Sequence, residues 1–420
     1  EATIMELHNA MLENQVTSLY LVNSYLDRID RYDRSGPALN SIIRLNPDAQ
    51  QQAIALDKER VENGMRGPLH GIPVLLKDNY NTTDMPTSAS SVALASFIPQ
   101  NDAFQVKKLR EAGAVILGKT NMHELAAGIT TVSSLGGQTK NPYDISRNPG
   151  GSSGGTGTAI AASFAAIGWG SDTCGSIRIP ASNNNLFGLR PTKGLASTQG
   201  IIPLSHTQDV GGPLARTAQD LAIGLNAIAG YDPADPYTEA GRGRKADDYT
   251  AFLDAEGLVG ARIGVLRELV NTDDADTEVI EVFEQALEDL RQLGAEILDP
   301  LEIAPLQELR SGGGGCSTFR YDMAQYLASL GDEAPIRDVL EVLETGEYSE
   351  YVEGRIQRSS NSSLDPPSEW DPPCLPYAEN PGRQAYKDAV VAAMDAADVQ
   401  AIVYPTWTNP PAPLETASED

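Results

Sequence analysis

Hydrophobic positions along the chain follow a helical period first and then short apolar runs separated by further helical segments. In the first 65 residues, apolar side chains such as Leu19, Val22 and Leu26 recur every three or four positions, which predicts amphipathic helices. The continuous apolar run Gly71-Ile-Pro-Val-Leu-Leu-Lys77 predicts a buried strand that ends on a lysine. Further strands are predicted at 114–118, 261–266, 295–298 and 400–404, and further helices at 102–112, 158–169, 218–229, 276–293 and 383–396.

This alternation of strands and helices indicates an α/β fold, with one large α/β/α domain around a mixed, mostly parallel sheet. We expect residues 1–66 to form N-terminal helices that pack on the core, and residues 67–230 to form the core itself. Residues 231–420 are then a C-terminal α/β part that completes the sheet and shapes the mouth of a pocket. Charged and Asp-Pro-rich residues at 231–257 predict a surface connection between these parts.

Composition excludes several classes of function. The chain has 58 acidic and 31 basic residues, a formal charge of −27, which repels phosphate backbones and argues against nucleic acid as a partner. No run reaches the roughly 18–20 apolar residues that a membrane span needs. Three cysteines are too few for a disulfide framework, and we expect free buried thiols, although Cys316 and Cys374 can pair in an oxidising compartment.

The loop Gly150-Gly-Ser-Ser-Gly-Gly-Thr-Gly157 has several interpretations. A flexible linker would not lead directly into an apolar helix, and a phosphate-binding P-loop requires a lysine that is absent here. A dinucleotide site requires a preceding strand, which Ser146-Arg-Asn-Pro149 disfavours. Ser153 formally matches the G-x-S-x-G nucleophile elbow of α/β-hydrolases, but that motif needs a histidine further along the chain, where His206 alone remains.

A second serine cluster follows in Gly170-Ser-Asp-Thr-Cys-Gly-Ser-Ile-Arg-Ile-Pro-Ala181. Its small residues allow the backbone N–H groups around Ser176 to converge on one point, as an oxyanion hole requires. Asp172 and Arg178 flank this turn, and their opposite charges can pair to hold it rigid. A tight glycine turn between two buried elements is the alternative, and composition does not decide between them.

A serine nucleophile needs a base, and Lys77 is the candidate because histidines are scarce. Burial at the end of an apolar strand disfavours the ammonium form and lowers the pKa of a lysine, so that its neutral amine can accept a proton. The alternative is that Lys77 reaches solvent or pairs with Asp78.

Together these segments resemble the amidase signature family. Gly71-Ile-Pro-Val-Leu-Leu-Lys-Asp-Asn79 is similar to its lysine-bearing strand, and Ala112-Gly-Ala-Val-Ile-Leu-Gly-Lys-Thr-Asn121 resembles its next block. Asn148-Pro-Gly-Gly-Ser-Ser-Gly-Gly155 followed by Gly170 to Ala181 resembles the signature itself. Ser152 and Ser176 are 24 residues apart, as in the family pattern.

The resemblance implies a role for each matching residue. Lys77 corresponds to the general base, Ser152 to a bridging serine that often lies on a cis peptide bond, and Ser176 to the nucleophile. Asp172 and Arg178 are expected to support the site, which needs neither a metal nor a cofactor. The implied oxyanion donors are four backbone N–H groups, those of Thr173, Cys174, Gly175 and Ser176.

Two departures from the family pattern stand out. Cys174 occupies a position where glycine is commonest, a change that leaves backbone donors intact. The family pattern also continues past Tyr404-Pro-Thr-Trp407 with a strand and helix pair carrying a Gly-x-Pro-x-Gly segment. Because the sequence stops at Asp420, we expect either a truncated sequence or a protein that lacks part of the wall of its sheet.

The expected activity is hydrolysis of a carboxamide to a carboxylate and ammonia through an acyl-enzyme on Ser176. The expected substrate is a small aliphatic or aryl amide or a peptide C-terminal amide, and aromatic residues within 305–380 favour an apolar or aromatic acyl group. We expect a monomer or homodimer in the cytoplasm, or in the periplasm or outside the cell if a leader precedes Glu1. The alternatives are a glutaminase subunit of a tRNA-dependent amidotransferase, a non-catalytic binding protein on the same fold, and an α/β-hydrolase that depends on His206.

Overall fold

The computed structural model describes residues 2–312 and 316–415, which divide into two compact units. As far as they are described, unit 1 comprises Glu1–Thr250, Thr318–Leu364 and Pro411–Asp420, and unit 2 comprises Ala251–Ser317 and Asp365–Pro410. The strands are β1 (Ile42–Leu45), β2 (Pro73–Lys77), β3 (Val115–Thr120), β4 (Val132–Ser133), β5 (Gly137–Gln138), β6 (Ile167–Asp172), β7 (Phe187–Gly188), β8 (Val210–Ala215), β9 (Arg262–Val265), β10 (Glu296–Leu298) and β11 (Ala401–Val403). The α-helices are α1 (Ile4–Leu12), α2 (Ser18–Ile29), α3 (Ala49–Asn63), α4 (Phe104–Glu111), α5 (Gly154–Ala161), α6 (Arg178–Asn183), α7 (Ala218–Ile228), α8 (Thr277–Gln292), α9 (Leu306–Gly312), α10 (Phe319–Ser329), α11 (Glu341–Thr345), α12 (Glu350–Ser359) and α13 (Pro381–Ala397).

Unit 1 is built on a six-stranded sheet with the strand order β1-β3-β2-β6-β8-β7. Its central strand β2 runs parallel to both β3 and β6, whereas β1, β8 and β7 pair antiparallel with their neighbours. The predicted mixed sheet covered by helices is therefore confirmed. Because β2 is central and every one of its residues is buried, both of its faces contribute to the core.

Side-chain alternation along β2 places its terminal lysine on a defined face of the sheet. Val74 and Leu76 belong to the core cluster that also includes residues of α1, α4 and α7. Leu75 lies in the opposite cluster, together with residues of α2, α3 and α5. Lys77 follows Leu75 by two positions and therefore lies on the face that α5 covers.

Unit 2 contains a parallel three-stranded sheet of its own, in the order β10-β9-β11. Helix α8 packs with Val265 on one side of this sheet, and α9 and α13 pack with Ile402 on the other. These strands pair with one another through β9, so in the described residues they do not extend the six-stranded sheet as we expected for residues 231–420. The proposed boundaries at 66 and 230 stay a prediction.

Two expectations about local structure were wrong. The apolar stretch 158–169 is not one helix, because the chain turns at Ser163, where φ is +57°, and β6 begins at Ile167. Small apolar residues fit a helix and a buried strand equally well, which is why periodicity could not separate them. Cys316 and Cys374 form a disulfide, and the one free cysteine, Cys174, is exposed rather than buried.

Within the described ranges, no helix is long and apolar enough to cross a membrane.

Candidate active site

Lys77 ends β2 with a fully buried side chain that points into the protein. Its Nζ lies 2.7 Å from Ser152 Oγ and 2.9 Å from Ser171 Oγ, and it donates to the Ser171 carbonyl oxygen at 3.3 Å. The alternative that Lys77 reaches solvent is therefore wrong. Asp78 has instead the buried Lys119 as its ion-pair partner, with 3.9 Å between Nζ and Oδ1.

Burial lowers the pKa of Lys77 from its ordinary value near 10.5 to about 7. The carboxylates of Asp209 and Asp172 act in the opposite direction, because negative charges favour the ammonium form. A substantial fraction of Lys77 is consequently neutral near physiological pH. A neutral amine has a lone pair that can accept the Ser152 hydroxyl proton across the 2.7 Å separation.

Ser152 lies in the loop that leads into α5, and close backbone packing fixes this loop. The Gly151–Ser152 peptide bond is cis, and Gly150 adopts a φ of +77°, a conformation that favours glycine. The Thr131 hydroxyl donates to the Gly150 carbonyl oxygen, and the His123 backbone N–H donates to that of Ser152. A Cβ on Gly151 would lie 2.7 Å from the Ile129 carbonyl carbon, so the approach of these two segments requires glycine there.

The turn that carries Ser176 meets this loop directly. The Ser153 backbone N–H donates to the Ser176 carbonyl oxygen at 3.2 Å, which joins the two serine-rich segments. Ser176 is buried, with 5% of its surface exposed. The three residues predicted from separate parts of the sequence therefore belong to one region of unit 1.

Asp172 holds the Ser176 turn together from the end of β6. Its carboxylate accepts from the backbone N–H groups of Gly175 at 2.8 Å and Ile177 at 3.1 Å. Arg178 Nε lies 3.1 Å from Oδ2, and Arg190 Nη1 lies 2.9 Å from Oδ1. Burial alone would raise the pKa of Asp172, but the Arg178 hydrogen bond and both arginine charges outweigh it and lower the pKa.

Three of the four expected oxyanion donors are free to bind a ligand. In the part of the chain that the structure describes, the N–H groups of Thr173, Cys174 and Ser176 have no hydrogen-bond acceptor. The Gly175 N–H is different, because it donates to Asp172 Oδ1 and is not available in this conformation. This corrects the expectation that Gly175 serves as a donor.

Sequence reasoning did not identify Ser171, Asn79 or Asp209 as parts of the site. Ser171 Oγ accepts from Lys77 and from Asn79 Nδ2, the latter at 2.9 Å, and Asp209 accepts from the Thr173 hydroxyl at 2.5 Å. The sequence did contain one signal, since Ser171 lies directly beside Asp172 in a strand whose alternate side chains share a face. Asp209 could be found only from the pairing of two strands.

The nucleophile-elbow interpretation has no support in the described residues. Ser153 Oγ donates to the Ser171 carbonyl oxygen at 3.1 Å, and no hydrogen bond joins it to His206. The His206 ring packs edge-on against Tyr237, with 5.3 Å between the ring centroids. Among the described residues there is also no cluster of three or more His, Cys, Asp or Glu side chains that could hold a metal ion.

Comparison with known proteins agrees with this geometry. The family model described as Amidase matches residues 20–420. One of the subunits of the glutamyl-tRNA(Gln) amidotransferase from Thermoanaerobacter pseudethanolicus is 37% identical over 362 residues, which cover 84% of this chain and 72% of that protein.

Solved structures of amidases have the same fold. A native peptide amidase from Stenotrophomonas maltophilia superposes with a TM-score of 0.83 at 36% identity, covering 100% of this chain and 88% of that one. An amidase family protein from Bacillus anthracis superposes with a TM-score of 0.86 at 32% identity, covering 100% of this chain and 82% of that one. The chain belongs to the amidase signature family, whose members are hydrolases that act on the C–N bonds of amides and carry a characteristic Ser-Ser-Lys triad.

Proposed function

We propose that this protein is a serine amidase that converts a carboxamide into a carboxylate and ammonia, with Ser176 as the nucleophile. One observation carries the proposal: the fully buried Lys77 amine, with a pKa of about 7, lies 2.7 Å from the Ser152 hydroxyl. A lysine in that state accepts a proton from a hydroxyl near neutral pH.

Acylation begins with two proton transfers. The neutral Lys77 amine takes the Ser152 proton, and Ser152 takes that of Ser176 as Ser176 Oγ attacks the amide carbon. The negative charge that develops on the carbonyl oxygen is stabilised by the N–H groups of Thr173, Cys174 and Ser176. The C–N bond then breaks, and the proton returns from Lys77 through Ser152 to the departing nitrogen, which leaves as ammonia.

Deacylation uses the same groups with water as the nucleophile. The relay accepts a proton from water as its oxygen attacks the acyl carbon, and the tetrahedral oxyanion forms against the same backbone donors. The bond between Ser176 Oγ and the acyl carbon then breaks, and Ser176 regains a proton. One amide and one water are consumed, and one carboxylic acid and one ammonia are released.

A small aliphatic or aryl amide, or a peptide C-terminal amide, is the proposed substrate, and the enzyme acts as a monomer or homodimer. The peptide amidase of known structure supports this choice, because its similarity extends over 100% of this chain at 36% identity. A second candidate is the glutaminase subunit of an amidotransferase, favoured by relatives whose names make them components of glutamyl-tRNA(Gln) amidotransferases. Ammonia release from glutamine that requires an added partner protein would favour the second candidate.

Nucleophile replacement tests the assignment. We expect Ser176→Ala to reduce amide hydrolysis by at least about 10⁴-fold, because no other group can form the acyl-enzyme. Ammonia release from short aliphatic, aryl and peptide amides is the measurement, together with mass-spectrometric mapping of a fluorophosphonate label to Ser176. Ser153→Ala is the matched control and should keep most of the activity; labelling of Ser153, or full activity in Ser176→Ala, would contradict the proposal.

The disulfide bears on the proposed location. Disulfides persist in oxidising compartments and are rare in the cytosol. The Cys316–Cys374 bond therefore supports the periplasmic or secreted alternative over a cytoplasmic enzyme.

A further inference from the structure

Asp209 lies beside the Ser176 turn because of strand pairing. Strands β6 and β8 are antiparallel, with Asp172 opposite Val210, so the next residue of one strand, Thr173, meets the preceding residue of the other, Asp209. Asp209 is 5% exposed, and its Oδ1 accepts from the Thr173 hydroxyl at 2.5 Å. Thr173 also supplies one of the three free N–H groups of the proposed oxyanion hole.

Asp209 is itself held by a second segment of the chain. Its Oδ2 accepts from the backbone N–H groups of Leu204 at 2.8 Å and Ser205 at 3.0 Å. The Lys193 ammonium donates to the carbonyl oxygens of Asp209 at 2.8 Å and His206 at 2.7 Å. Burial raises the pKa of Asp209, while the Thr173, Ser205 and Leu204 hydrogen bonds and the Lys193 charge lower it. Each donor carries its own hydrogen, so both carboxylate oxygens act as acceptors and the group is held as an anion.

We propose that Asp209 is a positioning residue that fixes the oxyanion turn through Thr173 and places a negative charge where it acts on the Lys77 amine. This inference rests on the proposed function, because it assigns a role to Asp209 within the same relay. A buried carboxylate with both oxygens satisfied is rigid, and a rigid turn presents its N–H groups without reorganisation during the reaction.

The groups that face Lys77 define what the Asp209 charge can do. Asp172 reaches it from the end of β6 and Asp209 from the start of β8, and both raise the pKa of Lys77 against the larger effect of burial. His123, which follows β3, is uncharged near neutral pH because burial lowers its pKa to about 3. Asp78, the next residue after Lys77, is paired with Lys119. Removing the Asp209 charge should therefore leave Lys77 neutral down to a lower pH.

Two types of substitution separate the positioning effect from the charge effect. Thr173→Val removes the hydroxyl and keeps the Asp209 charge, whereas Thr173→Ser keeps the hydroxyl. Asp209→Asn keeps an oxygen acceptor and removes the charge. Asp33→Asn is the matched control, because the buried Asp33 likewise accepts from one hydroxyl and two backbone N–H groups, those of Ser41 and Ile42.

Rates of Ser176 labelling by a fluorophosphonate, measured across neutral pH, report both effects without a known substrate. We expect Thr173→Val to slow labelling by about 10-fold or more, within the roughly 10²–10³-fold cost of a lost oxyanion donor, with no change in its pH midpoint. Thr173→Ser should stay close to the parent. For Asp209→Asn we expect the acid limb to move to lower pH by about one unit, the scale of one neighbouring opposite charge, while Asp33→Asn leaves it unchanged.

The possible failures are distinguishable. If the parent protein is not labelled at Ser176, the proposed function fails and this inference falls with it. If Ser176 is labelled but Thr173→Val reacts as fast as Thr173→Ser, or the acid limb of Asp209→Asn coincides with that of the parent, this inference alone is overturned. Circular dichroism checks folding, and if Asp209→Asn does not fold, the comparison of the two Thr173 variants decides.

Discussion

Unit 1 buries two lysines completely, and their partners explain why only one of them is suited to proton transfer. Lys119 Nζ donates to the Tyr80 carbonyl oxygen at 2.6 Å and to the Thr87 hydroxyl at 3.0 Å, beside the Asp78 carboxylate at 3.9 Å. Burial lowers its pKa to about 8, and its bonds tie together the chain that follows β2. Lys77 instead contacts two serine hydroxyls and has no carboxylate within salt-bridge distance in the described residues.

The titration of Lys77 predicts how activity depends on pH. Only the neutral amine can accept the Ser152 proton, and its pKa is about 7, so kcat/KM should rise with pH through about 7 and level off above it. A lysine with its ordinary pKa near 10.5 would place this rise more than three units higher. The measurement is the pH profile of kcat/KM for a neutral amide whose own charge does not change over the range.

Lys77→Ala is the companion experiment to that profile. The variant should lose most of its activity, and its remaining activity should no longer show the rise near pH 7. Retention of the same rise in Lys77→Ala would assign the titration to another group. Lys119→Met tests whether the second buried lysine contributes, and we expect it to affect stability without removing the rise.

The residues that carry chemistry were predictable to different degrees. Lys77, Ser152 and Ser176 lie in segments whose composition and spacing are unusual, so they could be identified from the sequence. Ser171 and Asp209 are ordinary polar residues at strand ends, and their roles depend on which strands are neighbours and in which register. Register is set by pairing across the whole sheet, and this information is not contained in any local pattern.

At the scale of elements, the start of α5 places Ser152 by packing backbone against backbone. A Cβ on Gly155 would overlap the Asn121 carbonyl oxygen, and one on Gly154 would overlap the Thr131 hydroxyl. This explains why the glycine-rich loop is not a flexible linker: its glycines allow contact with the segments after β3. The sequence predicted the loop and the helix, but the Cβ-free contacts that require these glycines come from segments distant in sequence.

A pair of glycine substitutions tests this close packing. We expect Gly155→Ala to destabilise the protein by about 1–3 kcal/mol, because the added methyl meets backbone that cannot move aside, and to slow Ser176 labelling through displacement of Ser152. Gly354→Ala is the control: it lies within α12, where the nearest atom is the flexible end of Arg358 at 3.2 Å. There alanine should be neutral or stabilising by up to about 1 kcal/mol. Urea unfolding measures both variants, and equal stability of Gly155→Ala and the parent would contradict the packing argument.

At the scale of the whole molecule, the candidate site and the disulfide belong to different units. Lys77, Ser152 and Ser176 lie in unit 1, whereas Cys316 and Cys374 close a separation of 58 residues within unit 2. The sequence predicted both α/β parts but not their division into separate sheets, because strand patterns do not reveal which strands will pair. Three cysteines likewise allow three pairings, and the fold alone brings one pair together.

Removal of the disulfide should weaken unit 2 and spare the proton relay. A cross-link mainly restricts the unfolded chain, so we expect Cys316→Ser combined with Cys374→Ser to lower the stability of unit 2 by about 2–4 kcal/mol. Thiol titration of the native parent should find one reactive group, Cys174, and three after reduction under denaturing conditions. Urea unfolding followed by tryptophan fluorescence is informative because Trp370 and Trp407 lie in unit 2, while Ser176 labelling without urea reports the relay in unit 1. Three reactive thiols in the untreated protein would contradict the disulfide, and labelling that is lost together with it would show that the relay depends on unit 2.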